Sequence, residues 1–600
     1  MKDFLFIFFA SFVSSVWGQT VDNQLTHQIE IDRTTDEIKI DGVLDEAAWT
    51  SIEPIGDFGY SFPVDDRAVE SEFRTEVRIT FDDKFLYVSA KCYGNAPFLM
   101  PTLKRDSDLF WDGDVFSVVF DPSNEKTNGF CFGTNPSGVQ YDVLVGANTG
   151  TRSGRGGSGL NEAWDNRWLC NSKEYLDHWA TEIAIPFNSL RYGDKKTWGI
   201  NFIRGVPEKN SWHTWAPVPV QFVGMDLGFL GQLNWSEIPP RAKSNVSLIP
   251  YALASGYDDI EENQKLDSRV RIGADAKIAV NSNLNLDITL NPDFSQVDVD
   301  QQVTNLTTVN IRFPERRLFF LENSDVFSEF GIPPMRPFFS RRIGLDEDGN
   351  SIPILYGARL SGNVNPNLRI GLSNLQTGEK DGFASQNYTS FAFNQQIFGR
   401  TSIKGYFNNR QAFVGNTFSE SDYNRALGGE IEYRSIDGAL RINGGGGMTL
   451  TEGVDSENYT YHGIISYNNR NLSFYTNLMV VGDNYIPDMG FITKIFHYDA
   501  ANDVSYRIGY GHSYSSISYT IYPESGLFVS HSFSLRSNVD YTERRGEFFD
   551  VSITPAYAMN FQNTSSISIE VESGRNQLFY PFAFTDAEPL PIGFYDSRYM

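Results

Sequence analysis

From about Arg269 onward the chain is written in period two. Arg269 to Val280 places Val270, Ile272, Ala274, Ala276, Ile278 and Val280 on one side, and Arg271, Asp275 and Lys277 on the other. Successive side chains of a β-strand point to opposite faces, so this alternation specifies strands rather than helices. Leu284, Leu286, Ile288 and Leu290 alternate with polar residues, and Tyr506 to Tyr514 and Val529 to Tyr541 do the same. Several runs reach about ten residues, the length of a tilted strand crossing a bilayer, whereas strands of ordinary sandwiches are nearer about 5 or 6. A soluble sandwich has the same alternation with its faces exchanged. Strand length, together with 29 Tyr and 47 Phe, favours a barrel.

The N-terminus carries a cleavable export signal over residues 1–18: Lys2 is its basic start, Phe4 to Val13 its apolar core, and Val16 and Gly18 its small cleavage residues. The apolar stretch is far shorter than the roughly 20 residues a spanning helix needs. No cysteine follows, so a lipid anchor is not indicated and the mature chain is expected to start at Gln19. An exported chain with no later apolar helix is either soluble or a barrel. The net charge of −26 excludes nucleic acid as a partner, since that requires basic patches.

Residues 25–240 read as a first unit with short strands closed by turns. Val77 to Phe81 and Leu86 to Ala90 flank Asp82-Asp83-Lys84. Val115 to Phe120 ends at Asp121-Pro122, and Trp179 to Ile185 stops at Pro186. Such strands imply an antiparallel sandwich. Thr151 to Gly159 has no packing residues and is expected to be a mobile loop. Cys92, Cys131 and Cys170 allow one disulfide, but their spacing matches no zinc pattern, and burial as small hydrophobes is the expectation. Pro239-Pro240 marks the boundary to a second unit over 245–600. The fold class is therefore all-β: a sandwich followed by an outer-membrane antiparallel β-barrel. Tyr599-Met600 follows a proline-rich turn and starts no strand, so the barrel either closes on earlier strands or the chain is a fragment, and the fragment is favoured.

Ile38-Lys-Ile-Asp-Gly-Val-Leu-Asp-Glu-Ala-Ala-Trp49, Val77 to Tyr93, Asp108 to Pro122 and Trp179 to Leu190 together resemble the carbohydrate-binding module family 9-like domain. The resemblance covers about 200 residues and implies a β-sandwich whose founding members clamp a terminal sugar between tryptophans. Physically, the C–H face of a sugar stacks on an aromatic plane while polar groups take its hydroxyls. Trp111 stands where the family often has an aromatic, with Asp112 and Asp114 beside it. Trp164, Trp168, Trp212 and Trp215 are the other clamp candidates, and Trp49 is expected in the core. Asp106, Asp108, Asp112, Asp114 and Asp121 form an acidic cluster, either a solvated turn or, less favoured, a structural calcium site.

Asn291 to Asp300, Phe313-Pro-Glu-Arg-Arg-Leu-Phe-Phe-Leu-Glu322, Phe338 to Gly344 and Ile354 to Gly362 resemble the DUF5916 family, in which such a module precedes a barrel and which has no established activity. Arg312, Glu315, Arg316, Arg317 and Glu322 crowd into eleven residues. Charges are costly in lipid, so these face the lumen or water. The segment is either an inward fold that narrows the pore, fixed by Arg–Glu pairs, or a solvent-exposed loop. Gly444 to Gly447 inside a strand imply a bend or a close backbone approach. No H-E-x-x-H and no G-x-S-x-G between a strand and a helix is present. The expectation is a non-enzymatic protein of a Gram-negative outer membrane, with its sandwich in the periplasm. Its partners are a glycan or glycoconjugate and outer-membrane lipid. A glycoside hydrolase, or a structural or secretion-linked barrel with a protein-binding sandwich, are the alternatives.

Overall fold

The computed structural model describes residues 23–599 except 127, 147–159, 163, 165, 191, 193–194, 240–245, 258–266, 282–283, 293–311, 314, 316, 322, 346–350, 366, 381, 399, 416, 436–437, 524–525, 545, 564 and 584–587. The export signal, the loop Thr151 to Gly159, Arg316 and Glu322 lie outside the described residues.

Two sheets face each other in the first unit. The larger runs in the order Gln28–Ile31, Gly231–Trp235, Thr197–Val206, Val115–Asp121, Asn128–Thr134, Gln140–Gly146 and Leu160–Asn161, and Ser211–Thr214 branches from Thr197–Val206 to pair with Gly59–Phe62. The smaller runs Thr75–Phe81, Phe85–Tyr93, His178–Pro186 and Leu169–Glu174. The hairpin at Asp82 closes because its carboxylate accepts from the backbone N–H of Lys84 and Phe85, both at 2.7 Å. Between the sheets lie Val77, Ile79, Phe116, Phe120, Trp179 and Phe202. The far face of the larger sheet is covered as well: Val115, Val119 and Ile203 pack under Met225, Leu227 and Leu230. Val115–Asp121 is thus buried on both faces, which accounts for its unbroken apolar run. All three cysteines are free thiols, and burial pushes Cys92 and Cys131 up to about 12.

Among the described residues the second unit is one antiparallel sheet of seventeen strands in chain order from Val246–Tyr257 to Gly593–Tyr599. Its polarity is inverted. Phe391, Ile403, Phe407, Ile431, Leu478 and Leu535 are exposed, while Arg359, Asn408, Glu430, Glu432, His462 and Asp540 are buried. A water-soluble sandwich has the reverse arrangement. An apolar outer band over a polar interior is the pattern of a membrane barrel wall, so the two readings of the alternation separate on this point. Strands reach 18 residues in Thr417–Arg434. The first and last strands are not paired with each other among the described residues.

Two connections fold inside the wall. Helical turns Leu318–Leu321 and Asp325–Ser328 bring Phe320, Phe327, Phe330 and Phe338 onto Leu375, Tyr388, Ala392 and Tyr406. Residues 482–497, between Leu472–Val481 and Tyr510–Ile521, place Tyr485, Ile492 and Ile495 against Met479, Tyr510 and Phe549. One inward segment contacts wall strands from Ile354–Asn365 to Thr417–Arg434, and the other reaches Phe548–Phe561, so the sheet wraps around both.

Two expectations need correcting. Tyr506 to Tyr514 is not one strand: Val504–Arg507 and Tyr510–Ile521 are separate, because the N–H of Gly509 turns to the Asp483 carboxylate at 2.5 Å and that of Ile508 to Ile495. The C-terminal residues Gly593–Tyr599 do form a strand, pairing with Glu572–Leu578. The glycines at 445–447 serve close approach. A Cβ at Gly447 would meet the Tyr406 hydroxyl at 2.2 Å, and one at Gly445 would meet Glu430 Cγ at 2.5 Å.

Arg359 and Asp287 pair at 2.8 Å with side chains 3% and 5% exposed. Asp287→Ala strands a buried guanidinium and is expected to cost about 3–5 kcal/mol, read as a lowered urea midpoint in detergent micelles. The double variant Asp287→Leu with Arg359→Met is expected to recover most of it.

Candidate functional site

Trp111 and Trp212 meet on the outer face of the larger sheet. Trp212 stands opposite Gly205 in the register of Ser211–Thr214 against Thr197–Val206. A Cβ at Gly205 would lie 2.9–3.0 Å from its ring, so glycine there lets the indole lie flat over the strand. Trp111, in the turn Phe110–Asp112, lies 5.5 Å from Trp212 at 52° and 5.1 Å from Tyr141 at 80°. Phe110 stacks beneath Tyr141 at 4.8 Å. Both tryptophans are half-buried, which fixes them and leaves part of each ring to solvent. The Tyr141 hydroxyl donates to Glu162 at 2.9 Å. Exposed Glu162 and Asp112 therefore supply acceptors at the border of an aromatic surface.

Gripping a sugar between parallel planes requires about 7 Å, two van der Waals layers of about 3.5 Å each. Trp111 and Trp212 touch, so they form a platform and not a clamp. The remaining tryptophans are placed elsewhere. Trp168 is buried and donates to Asp142 at 3.1 Å; Trp215 is buried against Phe202 and His27; Trp164 packs on Phe130 and Phe132. Tyr141 and Glu162 were not singled out by the sequence. Tyr141 sits in an alternating strand on the face of Val143 and Val145, a parity that places it beside residue 111 only once the sheet order is known.

Asp114 is structural. It pairs with buried Arg204 at 2.8 Å and accepts from the N–H of Leu99 at 2.9 Å. Asp121 is buried and accepts from Ser123 and Lys126 in its own turn; burial raises its carboxyl above the ordinary range. Asp106 accepts from the N–H of Asp142, while Asp108 and Asp112 are exposed. The acidic cluster thus disperses and offers no shared calcium position. Among the described residues, the carboxylates that converge are Asp41, Glu46 and Glu182, with oxygens within 4.8 Å of one another.

That convergence belongs to the Ile38 to Trp49 motif. Glu182 is fully buried on His178–Pro186. One of its oxygens accepts from the Trp49 indole at 2.8 Å and the other from the N–H groups of Asp41 and Gly42 at 2.9 and 2.8 Å. Asp41 is occupied by Lys39 and the N–H of Val43, which leaves Glu46 Oε2 as the unbonded oxygen of the six. The motif is therefore a turn tied to the smaller sheet by one carboxyl, and Trp49 is core, as its position implied. Burial pushes Glu182 up to about 7 against the pull of its three donors.

Of the charges in the second motif, Glu315 and Arg317 pair at 2.7 Å. Arg317 also donates to the carbonyls of Ser340 and Ile343, and Ser340 donates to Glu315 at 2.6 Å. Arg312 lies over the Phe339 ring at 5.3 Å. The pair staples the start of the inward segment to its end.

The class defined so far is an all-β chain with a sandwich ahead of a barrel-type wall. Residues 243–355, which span the first wall strands and the inward segment, match the family model described as Domain of unknown function (DUF5916). No curated protein matches the chain. Among solved structures, similarity extends to a family 9 carbohydrate-binding module from Caldicellulosiruptor kristjanssonii in complex with glucose (13% identity, 36% of this chain and 100% of that one, TM-score 0.26). A putative carbohydrate-binding protein from Bacteroides uniformis is similar at 16% identity (35% and 99%, TM-score 0.27). Pseudomonas aeruginosa OccK3 is similar at 11% identity (76% and 94%, TM-score 0.26). At these scores nothing about ligand or activity carries over to this chain.

A carboxyl raised in the folded state favours folding below its unfolded pKa, and that contribution is lost as pH rises through the folded value. The wild type is therefore expected to lose thermal stability between about pH 4.5 and pH 7 relative to Glu182→Gln, measured by parallel melting curves. At low pH Glu182→Gln is expected to be the less stable by about 1–3 kcal/mol, because a buried donor is left unmatched.

Proposed function

We propose that this chain is an outer-membrane protein whose N-terminal sandwich binds carbohydrate on the Trp111–Trp212 platform, while the barrel anchors it in the membrane. The observation that carries the reading is the platform itself: two contacting, half-buried indoles bordered by the exposed carboxylates of Asp112 and Glu162. An aromatic plane matches the C–H face of a pyranose, and the carboxylates accept from its hydroxyls. The inverted polarity of the wall supports the membrane half of the proposal.

The connections support an orientation. At one end of the wall they are short, as from Asn468 to Leu472 and from Phe398 to Thr401; at the other lie the long stretches 291–353 and 482–509. Barrels of this kind keep short turns on the periplasmic side. The sandwich docks at the short-turn end. Arg470 pairs with Asp65 and Asp66 at 3.5 and 3.0 Å, and Gly438 lies against Phe222 and Phe229. These contacts support a periplasmic sandwich, which would meet glycans already across or built beneath the membrane.

A glycan array followed by calorimetry on the full chain tests this. Trp111→Ala and Trp212→Ala are each expected to weaken binding roughly tenfold or more, about 1.4 kcal/mol, while Trp168→Phe leaves it unchanged. No glycan bound by the folded protein refutes the reading, and new reducing ends released from a polysaccharide would assign a hydrolase instead. For the membrane half, Phe407→Arg on the outer face is expected to cost about 2–4 kcal/mol in bilayer folding, read by heat-modified mobility and urea titration.

A further inference from the structure

The inward segments are bonded to each other. Met335–Arg336 and Phe491–Ile492 form a two-stranded antiparallel ribbon, with Met335 opposite Ile492. The N–H of Phe339 donates to the Met489 carbonyl at 2.6 Å and that of Thr493 to the Pro334 carbonyl at 2.9 Å. Ile332, Met335, Tyr485 and Ile495 are at most 1% exposed in an apolar cluster that also takes in the wall residues Met479 and Tyr510. Chain positions about 150 apart thus make a single packed body.

Attachment to the wall is of another kind. Among the described residues, backbone–backbone bonds of 323–343 and 485–493 run within or between these two segments, apart from those of Ser324 and Tyr485 to the adjoining Leu321 and Gly482 carbonyls. Bonds from the segments to the wall use side chains. Glu430 accepts from the N–H of Gly331, Asn408 donates to the Pro337 carbonyl, Asn424 donates to the Ile486 carbonyl, and Arg410 donates to Asp488 at 2.7 Å. The ribbon's backbone bonds tie the two segments into one cooperative unit, whereas the wall holds that unit through separate side-chain bonds and apolar packing on residues such as Met479, Tyr510 and Tyr406. The first segment bonds Ser361 on one side of the wall through Asn323, and the connection carrying the second meets Phe549 on the other through His497 at 5.8 Å.

We propose that residues 323–343 and 485–493 form one composite plug that shuts the lumen, and that it shifts against the wall as a unit. A solute path through the barrel is then gated, and the wall side chains Asn408, Arg410, Asn424 and Glu430, with the adjoining Lys494 bridge to Asp540 and Asp550, are its release points. This rests on the membrane-barrel reading above.

The test records single channels from the full chain in planar lipid bilayers. Replacing 323–343 with a short Gly-Ser linker, and separately replacing 485–493, should each raise conductance severalfold over the unaltered chain. Unchanged conductance in an inserted, heat-modifiable protein overturns the plug. A second variant, Met335→Cys with Ile492→Cys in a background of Cys92→Ala, Cys131→Ala and Cys170→Ala, serves where a replaced segment prevents folding. Opposed Cβ atoms lie within about 5.5 Å, near enough for a disulfide after a small shift. Bond formation on oxidation, with openings equal to those of the reduced protein, supports a unit. Absence of the bond, or openings abolished by it, overturns the proposal. Failure of every form, the unaltered chain included, to insert into bilayers refutes the barrel reading itself.

Discussion

Charge inside and hydrocarbon outside is the constraint on which the second half of the molecule depends. An interior face of arginines, glutamates and amides cannot be left dry and unmatched, because one unpaired buried ion costs several kcal/mol. The wall answers with cross-strand pairs such as Arg359–Asp287 and with shared centres. Glu432 takes Lys404, Arg434 and Arg441, and Lys494 bridges Asp540 and Asp550 at 2.6 Å each. The Lys494 centre joins an inward segment to the wall. Segments and wall therefore satisfy each other, and the long connections are as much a part of the interior as the strands.

The same period-two code is read in opposite senses in the two units. In the sandwich the apolar face turns inward, and Val77, Ile79 and Val88 disappear between sheets. In the wall Phe391, Phe407 and Leu478 turn outward. Alternation specifies two faces but not which faces the chain's own interior. The packed phenylalanines of 320–338 lie against Tyr388, Ala392 and Tyr406, on the opposite parity from Phe391 and Phe407, and this decides it.

Legibility followed the range of the interactions. Asp267–Asn281 and Phe528–Thr542 were readable because each strand's pattern is local. The Tyr506 to Tyr514 run misled because its break is imposed by Asp483, a residue on another element. Among the aromatics, Trp111 was readable from its motif, but its contact with Trp212 depends on Gly205 admitting the ring across a strand pair. Trp168 looked equivalent until Asp142 claimed its N–H. The charges of the Phe313 to Glu322 block marked an inward or exposed segment. Their partner body at 485–493 carries no comparable run of charge, with Asp488 its one ionisable acid beside Pro487 and Gly490, and so has no local signature.

The strand Gly231–Trp235 leads out of the sandwich toward the wall while lying between Gln28–Ile31, parallel to it, and Thr197–Val206, antiparallel to it. Tension arriving from the wall is thus applied along a strand with neighbours on both edges. Its hydrogen bonds are loaded together in shear and do not open one after another as at a frayed edge. The joint between the two units is by this geometry a mechanically strong one, and its lifetime under load is set by an unfolding rate and not by the equilibrium stability of the sandwich.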